Sequence, residues 1–384
     1  MEKIAIAERP DWRDTAERMG FRFHTIEGAR YWDERAYYRF SEAQIEHLEV
    51  ATQEVHAMCL ELVDKVANSD ALMTELAIPE AFHALIHDSW RTQQPHLYGR
   101  MDFSYDGTGP AKLLELNYDT PTSLFESAAF QLVWFEQCLS QGMLPAASDQ
   151  FNLLAELMQA RFHIFNDGTP FHFSAIANSV EDRGTTDFMR SMAEQIGIKT
   201  HHIDVQDIGL DAQGRFVDMT GHPIHRLFKL HPWEHIFLEP FGTSIADSGT
   251  QFVEPAWKAI LSNKGILPML WAHYPNHPNL LAAHRDPDAT HPIPKGWIRK
   301  PYFSREGANI ELRTHDDQCE SSPGPYDDAP YILQSFAPLP RFGDSYTLIG
   351  SWVVGDTAAG LSIREDDSLI TKDSSRFLPH IIAD

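Results

Sequence analysis

The chain has 384 residues, of which 43% are hydrophobic and 22% charged, enough apolar side chain for a sizeable core and a length that predicts two or three structural units. A formal net charge of −24 argues against nucleic acid and anionic membrane surfaces as partners, because binding phosphate needs a Lys/Arg footprint. The three cysteines, Cys59, Cys138 and Cys319, lie far apart and in no Cys-x-x-Cys pair. Neither a disulfide framework nor a zinc knuckle is therefore expected, and a reducing compartment fits.

The stretch from Met1 to Trp12 carries charges throughout and has no apolar core segment, so a secretory signal is not expected. No apolar run approaches the length of a membrane span. Residues 41–67 predict a helix, with Ser41 and Gln44 spaced as a capping box and Ile45, Leu48, Val55, Met58, Leu62 and Val66 forming a core stripe. Cys59 falls on that stripe and reads as core, not nucleophile. Leu97 to Tyr105 predicts a strand, the Asp106-Gly107-Thr108-Gly109-Pro110 run a turn, and Lys112 to Asn117 a second strand, together a β-hairpin. A second helix is predicted from Leu124 to Leu139, with Leu124, Ala128, Gln131, Leu132 and Phe135 along one side.

Residues 171–220 predict a small α/β unit: a strand Phe171 to Ala177, a helix Thr185 to Ile196 ended by Gly197, a strand Thr200 to Val205, and a turn at Asp211 to Gly214. No glycine-rich dinucleotide fingerprint follows the first strand. Beyond residue 223 the chain is rich in Pro, Trp and His, with short strands predicted near 297–303, 310–314, 330–336, 346–354 and 359–363.

The hairpin carries the strongest chemical signal. Side chains alternate faces along a strand, so Arg100, Asp102 and Ser104 share one face, as do Leu113, Glu115 and Asn117. Closure about residues 108 and 109 sets Asp102 opposite Glu115, and Arg100 opposite Asn117. Opposed carboxylates destabilise a sheet. A divalent cation between them resolves the conflict, and an all-oxygen set with Asn117 suits Mg²⁺, leaving Arg100 to meet a phosphate oxygen. The alternative is a solvated face with an ordinary Arg–Asp pair.

Three further signals are weaker. The run Ser304 to Asn309 between two strands is either a phosphate-covering loop or a plain hairpin turn. Lys264 is either a phosphate contact or a solvated lysine, and Arg364 has three acidic neighbours in sequence as surface partners. The twenty histidines include no His-Glu-x-x-His helix, so a histidine metal site is not expected.

Taken in order, Tyr98-Gly99-Arg100-Met101-Asp102-Phe103, Leu114 to Thr120, Asn263 to Pro268, Arg299-Lys300-Pro301, Gly307 to Ile310 and Ile363 to Asp366 resemble the synthetase domain of the glutathionylspermidine synthases over nearly the whole chain. The resemblance implies an α/β fold of the permuted ATP-grasp type, with an α/β lobe and a lid. The expected parts are residues 1–160 (helical part and hairpin), 161–255 (substrate-side lobe) and 256–384 (lid and remainder of the core). It implies a cytoplasmic, ATP-dependent ligase joining a small-molecule acid to an amine with release of ADP, and two Mg²⁺ ions held by Asp102, Glu115 and Asn117. Arg100 and Arg364 are implied as catalytic. ATP contacts are implied for Arg100, Asp102, Lys264, Lys300, Glu306, Gly307, Gln334, Ser335, Phe336, Ala337, Leu369, Ile370 and Thr371, and acid-substrate contacts for Thr120, Glu181 and Asp182. Two departures bear on the substrate. Nothing corresponds to the amidase domain of the bifunctional members, and Leu230 stands about where a Thr is expected to hold the thiol peptide, which argues against glutathione. The other outcome in view is a nucleotide-binding relative without ligase activity.

Overall fold

A computed structural model describes residues 1–384 apart from 27, 290, 327–329 and 373–374. Its central element is an antiparallel sheet in the order Arg376–Leu378, Thr357–Asp366, Ser345–Val354, Tyr98–Ser104, Lys112–Asn117, with Arg341–Phe342 paired to the edge of Ser345–Val354. The predicted hairpin thus becomes one side of this sheet. The two ten-residue strands Ser345–Val354 and Thr357–Asp366 replace the shorter ones read from sequence, because both are buried along nearly their whole length.

Helix Glu42–Ala67 covers one face of the sheet. Its capping box forms as predicted: Ser41 Oγ accepts from the Gln44 amide and Gln44 Oε1 accepts from the Ser41 amide. The predicted stripe and Cys59 are buried against Met101, Phe103, Ile349 and Val353, and Thr52 Oγ1 meets Ser351 Oγ at 2.6 Å across the contact. Burial raises the Cys59 thiol far above its ordinary range, so it is core. On the opposite face Tyr98 and Trp352 pack with helix Leu154–Phe162 and with a parallel sheet.

That parallel sheet runs Gln251–Val253, Arg226–Lys229, Phe171–Ala175, Thr200–Asp204. The connecting helix is Val180–Gln195, capped by Ser179, whose side chain accepts from the Asp182 amide. It starts five residues before the predicted Thr185. The apolar stripe begins only at Thr185, whereas the first turn is held by the cap and by Glu181 and Asp182 near the helix N-terminus. Gly184 sits within the first turns, where a Cβ would lie 2.7 Å from the Phe23 ring.

A second antiparallel sheet, Ala283–Asp286, Tyr331–Ser335, Trp297–Pro301, Glu311–Arg313, Cys319–Ser321, stands over the hairpin. Near the chain ends, Glu2–Ala5 pairs antiparallel and His380–Ile382 parallel with Ala36–Phe40. The second predicted helix is present, but as a π-helical turn Glu126–Phe130 running into an α-helix Gln131–Ser140. The wide turn rephases the helix, so Leu132, expected on the packed side, is 38% exposed. Among the described residues no helix is long and apolar enough to cross a membrane.

Candidate active site

The hairpin closes in the expected register where it matters: Arg100 pairs with Asn117 and Asp102 with Glu115. Nearer the turn a bulge shifts the pairing to Phe103 with Leu113. Leu113 is consequently buried in the core, and Leu114, not Leu113, joins Glu115 and Asn117 in facing the cleft. The simple alternation fails because the bulge inserts one residue into one strand. The face is not solvated: Arg100 and Asp102 are buried.

Arg100 holds Asp102 in a fork, Nε to Oδ1 at 2.7 Å and Nη2 to Oδ2 at 3.1 Å, and its Nη1 donates to the Thr122 carbonyl and Ser123 Oγ. Asn117 Nδ2 lies 3.2 Å from Asp102 Oδ2 and 3.4 Å from Glu115 Oε1, so the amide sits between the two carboxylates. Burial, only partly offset by Arg100, raises the Asp102 carboxyl. Burial also acts upward on Glu115, but Lys264, Lys300 and Arg100 outweigh it and draw that carboxyl down to about 2. Two opposed carboxyls with unequal proton affinity make a divided site. The donor set is all oxygen once the Asn117 amide is turned over, an exchange of near-isosteric O and N, and therefore fits Mg²⁺. Among the described residues no group of three or more His, Cys, Asp or Glu side chains is disposed to hold a metal.

Lys264 and Lys300 approach from the other side. Lys264 Nζ is 3.4 Å from Glu115 Oε2 and donates to the Ser304 carbonyl at 2.7 Å; it is buried, not solvated, one layer behind the cleft wall. Lys300, on strand Trp297–Pro301, donates to the Leu114 carbonyl at 3.0 Å and to Gln334 Oε1 at 2.9 Å. Burial, with Lys264 adding to it against the pull of Glu115, lowers its ammonium to about 8.

Between the two antiparallel sheets and the parallel sheet lies a cleft of about 440 Å³. It is lined by Arg100, Asp102, Glu115, Asn117 and Lys300, by Thr120, Glu181 and Asp182, by Glu306 and Gly307, by Gln334 to Ala337, by Arg364 and by Leu369 to Thr371. Every site residue expected from sequence thus lies on this cleft, save Lys264 behind it. One part of its wall is apolar, where Ile298, Ile310, Phe336 and Ile370 pack as one cluster; the end lined by Tyr31, Thr120, Ser123, Glu181 and Asp182 is polar. The loop Ser304 to Asn309 crosses the cleft with Glu306, Gly307 and Asn309 at positive φ of 54°, 71° and 54°, a conformation that a plain two-residue hairpin does not need. Arg364 Nη2 donates to the Lys372 carbonyl at 2.6 Å, and its guanidinium stacks 5.3 Å above the Phe377 ring. It is not a surface partner of its acidic neighbours.

Four residues escaped the sequence reading. Arg305 bridges the cleft, Nη1 to Thr120 Oγ1 at 3.0 Å and Nη2 to Glu234 Oε1 at 2.7 Å; its place beside the glycine loop was the available signal. Tyr31 lines the polar end and touches Glu126 and Glu181. Ser123 lies against Arg100, and only the tertiary fold brings any of these three together. Asp119 anchors the loop that carries Thr120: it accepts from Lys229 Nζ and from the Trp233 amide at 2.8 Å.

The profile of the family described as glutathionylspermidine synthase preATP-grasp matches residues 3–383. The chain belongs to this family. Relatives include a Haemophilus influenzae protein provisionally classed as an acid–amine ligase, 38% identical over 390 residues and covering 97% of each chain. The bifunctional glutathionylspermidine synthetase/amidase of Escherichia coli is 28% identical, covering 90% of this chain and 59% of that one. The trypanothione synthetase of Crithidia fasciculata is 27% identical, covering 84% and 53%. The chain therefore spans little more than half the length of the latter two. A glutathione synthetase-like effector of Globodera pallida has the same overall fold, with a TM-score of 0.55 at 11% identity over 90% of this chain and 89% of that one. The architecture is an α/β fold of the ATP-grasp type.

Proposed function

We propose that this glutathionylspermidine synthase relative is an ATP- and Mg²⁺-dependent ligase that joins a carboxylic acid to an amine through an acyl-phosphate, with release of ADP. The observation that carries the reading is a single cleft in which the buried Asp102 faces the partly exposed Glu115, with Arg100 and Lys300 beside them, Lys264 behind the wall and a positive-φ loop, between an apolar slot and a polar end. The apolar slot suits a purine, with Gln334 to Ala337 and Leu369 to Thr371 around it. Lys300 and Arg100 are placed to take the phosphate chain, with the charge of Lys264 behind them, and neutralise charge as the γ-phosphoryl group transfers. Bound Mg²⁺, as two ions on Asp102, Glu115 and Asn117, supplies further charge neutralisation on the phosphates.

The acid binds at the polar end, against Thr120 and the loop from Pro121 to Ser123, with its carboxylate toward Arg100. Arg364 orients the acyl group from strand Thr357–Asp366, two strands from that of Arg100. The loop bearing Glu306 and Gly307 covers the reacting atoms, and Arg305 ties that cover to Thr120 and Glu234. Excluding water protects an acyl-phosphate from hydrolysis until the amine arrives. Glu181 and Asp182, which the family pattern gives to the acid substrate, form part of the same wall, and their charge would favour a cationic group there. Leu230 is buried in the lining and offers no hydroxyl to a thiol peptide, which argues against glutathione as the acid.

The test is release of ADP and AMP from Mg-ATP with a panel of peptide acids, glutathione included, against amines that include spermidine and amino acids. ADP release that requires both an acid and an amine is the expected result. AMP release would replace the acyl-phosphate by an adenylate. Tight Mg-ATP binding without turnover on any pair would favour the non-catalytic reading.

A further inference from the structure

At the polar end of the cleft, the Tyr31 hydroxyl lies 2.7 Å from Glu126 Oε1 and 3.2 Å from Glu181 Oε1. A phenol has one hydrogen to donate. Both contacts are hydrogen bonds only if one of the carboxyls carries a proton, so the trio is built around a movable proton. Tyr31 and Glu181 line the cleft; Glu126 stands behind them, fully buried. Its second oxygen, Oε2, has no hydrogen-bond partner, and Glu126 also lines a small cavity of roughly 10 Å³ together with His380 and Gln131. Glu126 also opens the π-helical turn Glu126–Phe130, a device that recurs at functional sites.

We propose that Tyr31 and Glu126 form a proton relay that deprotonates the incoming amine of the ligase reaction. This rests on the ligase reading above. An alkylamine reaches the site as an ammonium ion and has no lone pair for attack. One ammonium proton passes to the Tyr31 oxygen while the phenol proton passes to the Glu126 carboxylate. The freed nitrogen lone pair then forms the C–N bond at the acyl carbon, the acyl C–O bond to phosphate breaks, and the electron pair leaves on phosphate. A second nitrogen proton goes to that phosphate, and one stays on the amide. Charge balances: acyl-phosphate, ammonium and carboxylate become amide, hydrogen phosphate and carboxylic acid.

The surroundings keep the acceptor poised. Burial, and then the neighbouring Glu181, raise the Glu126 carboxyl to about 8, against opposing influences from Tyr31 and Arg364. His380 on the far side is held neutral by burial, its imidazole lowered to about 4. A base near the working pH is the efficient choice.

The experiment compares wild type, Glu126→Gln and Tyr31→Phe with Mg-ATP, the acid that supports ADP release in the panel above, and one of two amines. Spermidine must lose a proton; hydroxylamine is already neutral at neutral pH and traps the acyl-phosphate as a hydroxamate. Both variants are expected to lose spermidine ligation about 10²-fold and to hold hydroxamate formation within about threefold. The acid limb of the wild-type pH profile, near pH 8 for spermidine, should vanish in Glu126→Gln. Equal loss with both amines would mean a structural role, and no loss with either would remove the relay; each overturns the proposal. A wild type that forms neither product with any acid would fail the ligase reading itself, and the relay with it.

Discussion

Asp102 and Glu115 face one another across two strands, yet their environments push them apart. Asp102 is pressed toward the neutral form by burial, while Glu115 is held ionised by three cations. Asp102→Ala or Glu115→Ala should lower ADP release by at least about 10²-fold, with circular dichroism unchanged; turnover retained in both would remove the metal-and-phosphate assignment. Lys300 offers a pH test. A phosphate contact requires the ammonium, and burial lowers it to about 8. Affinity for Mg-ATP should therefore be level below that value and weaken as pH rises through it, and Lys300→Arg, which stays charged, should flatten the dependence. Isothermal titration at stepped pH reads both. That Arg100, Asp102, Glu115 and Asn117 converge was legible from residue type and alternation alone, because strand geometry makes the face of each side chain a matter of counting.

Counting stops working where an element is irregular. The bulge before Glu115 sends Leu113 to the core and Leu114 to the cleft, and the π-turn at Glu126 leaves Leu132 exposed. Neither carries a glycine or proline that would announce it. Gly307 is the opposite case. Its φ of 71° and its contacts, where a Cβ would lie 2.6 Å from both Ile370 Cγ2 and the Thr371 carbonyl oxygen, make glycine a requirement of the cover loop seated on Leu369 to Thr371. Gly307→Ala adds strain on the order of 1–2 kcal/mol and displaces the loop. The expected result is a raised KM for ATP, with faster ATP hydrolysis relative to amide formation as water enters. Unchanged kinetics would mean that the loop does not cover the reacting atoms.

The lobes are joined by buried charge. Lys229 and Asp119 tie the parallel sheet to the loop bearing Thr120. Glu254, paired with Lys258 at 2.7 Å, accepts from the amides of Leu97 and Tyr98 at the start of the hairpin strand. Removing one partner leaves an uncompensated charge, so Lys229→Met should cost about 3–5 kcal/mol in urea unfolding. Because the pair lies behind Thr120, it should also raise the KM for the acid more than that for ATP. A loss of stability without that asymmetry would make the pair a structural weld alone.

Some of this was decided by the chain locally. The capping box of Ser41 and Gln44, the apolar stripe behind it, and the hairpin of Arg100 and Asn117 depend on neighbours a few residues away, and periodicity reports such neighbours directly. The glycine loop and the lysines were legible only through likeness to a family, since a lone Lys or Gly has the same local signal on any surface. The relay of Tyr31, Glu126 and Glu181, the Arg305 bridge and the Asp119–Lys229 pair join positions up to 185 residues apart. Their meaning comes from burial, which turns ordinary polar residues into groups that must find partners, and burial is a property of the packed tertiary structure.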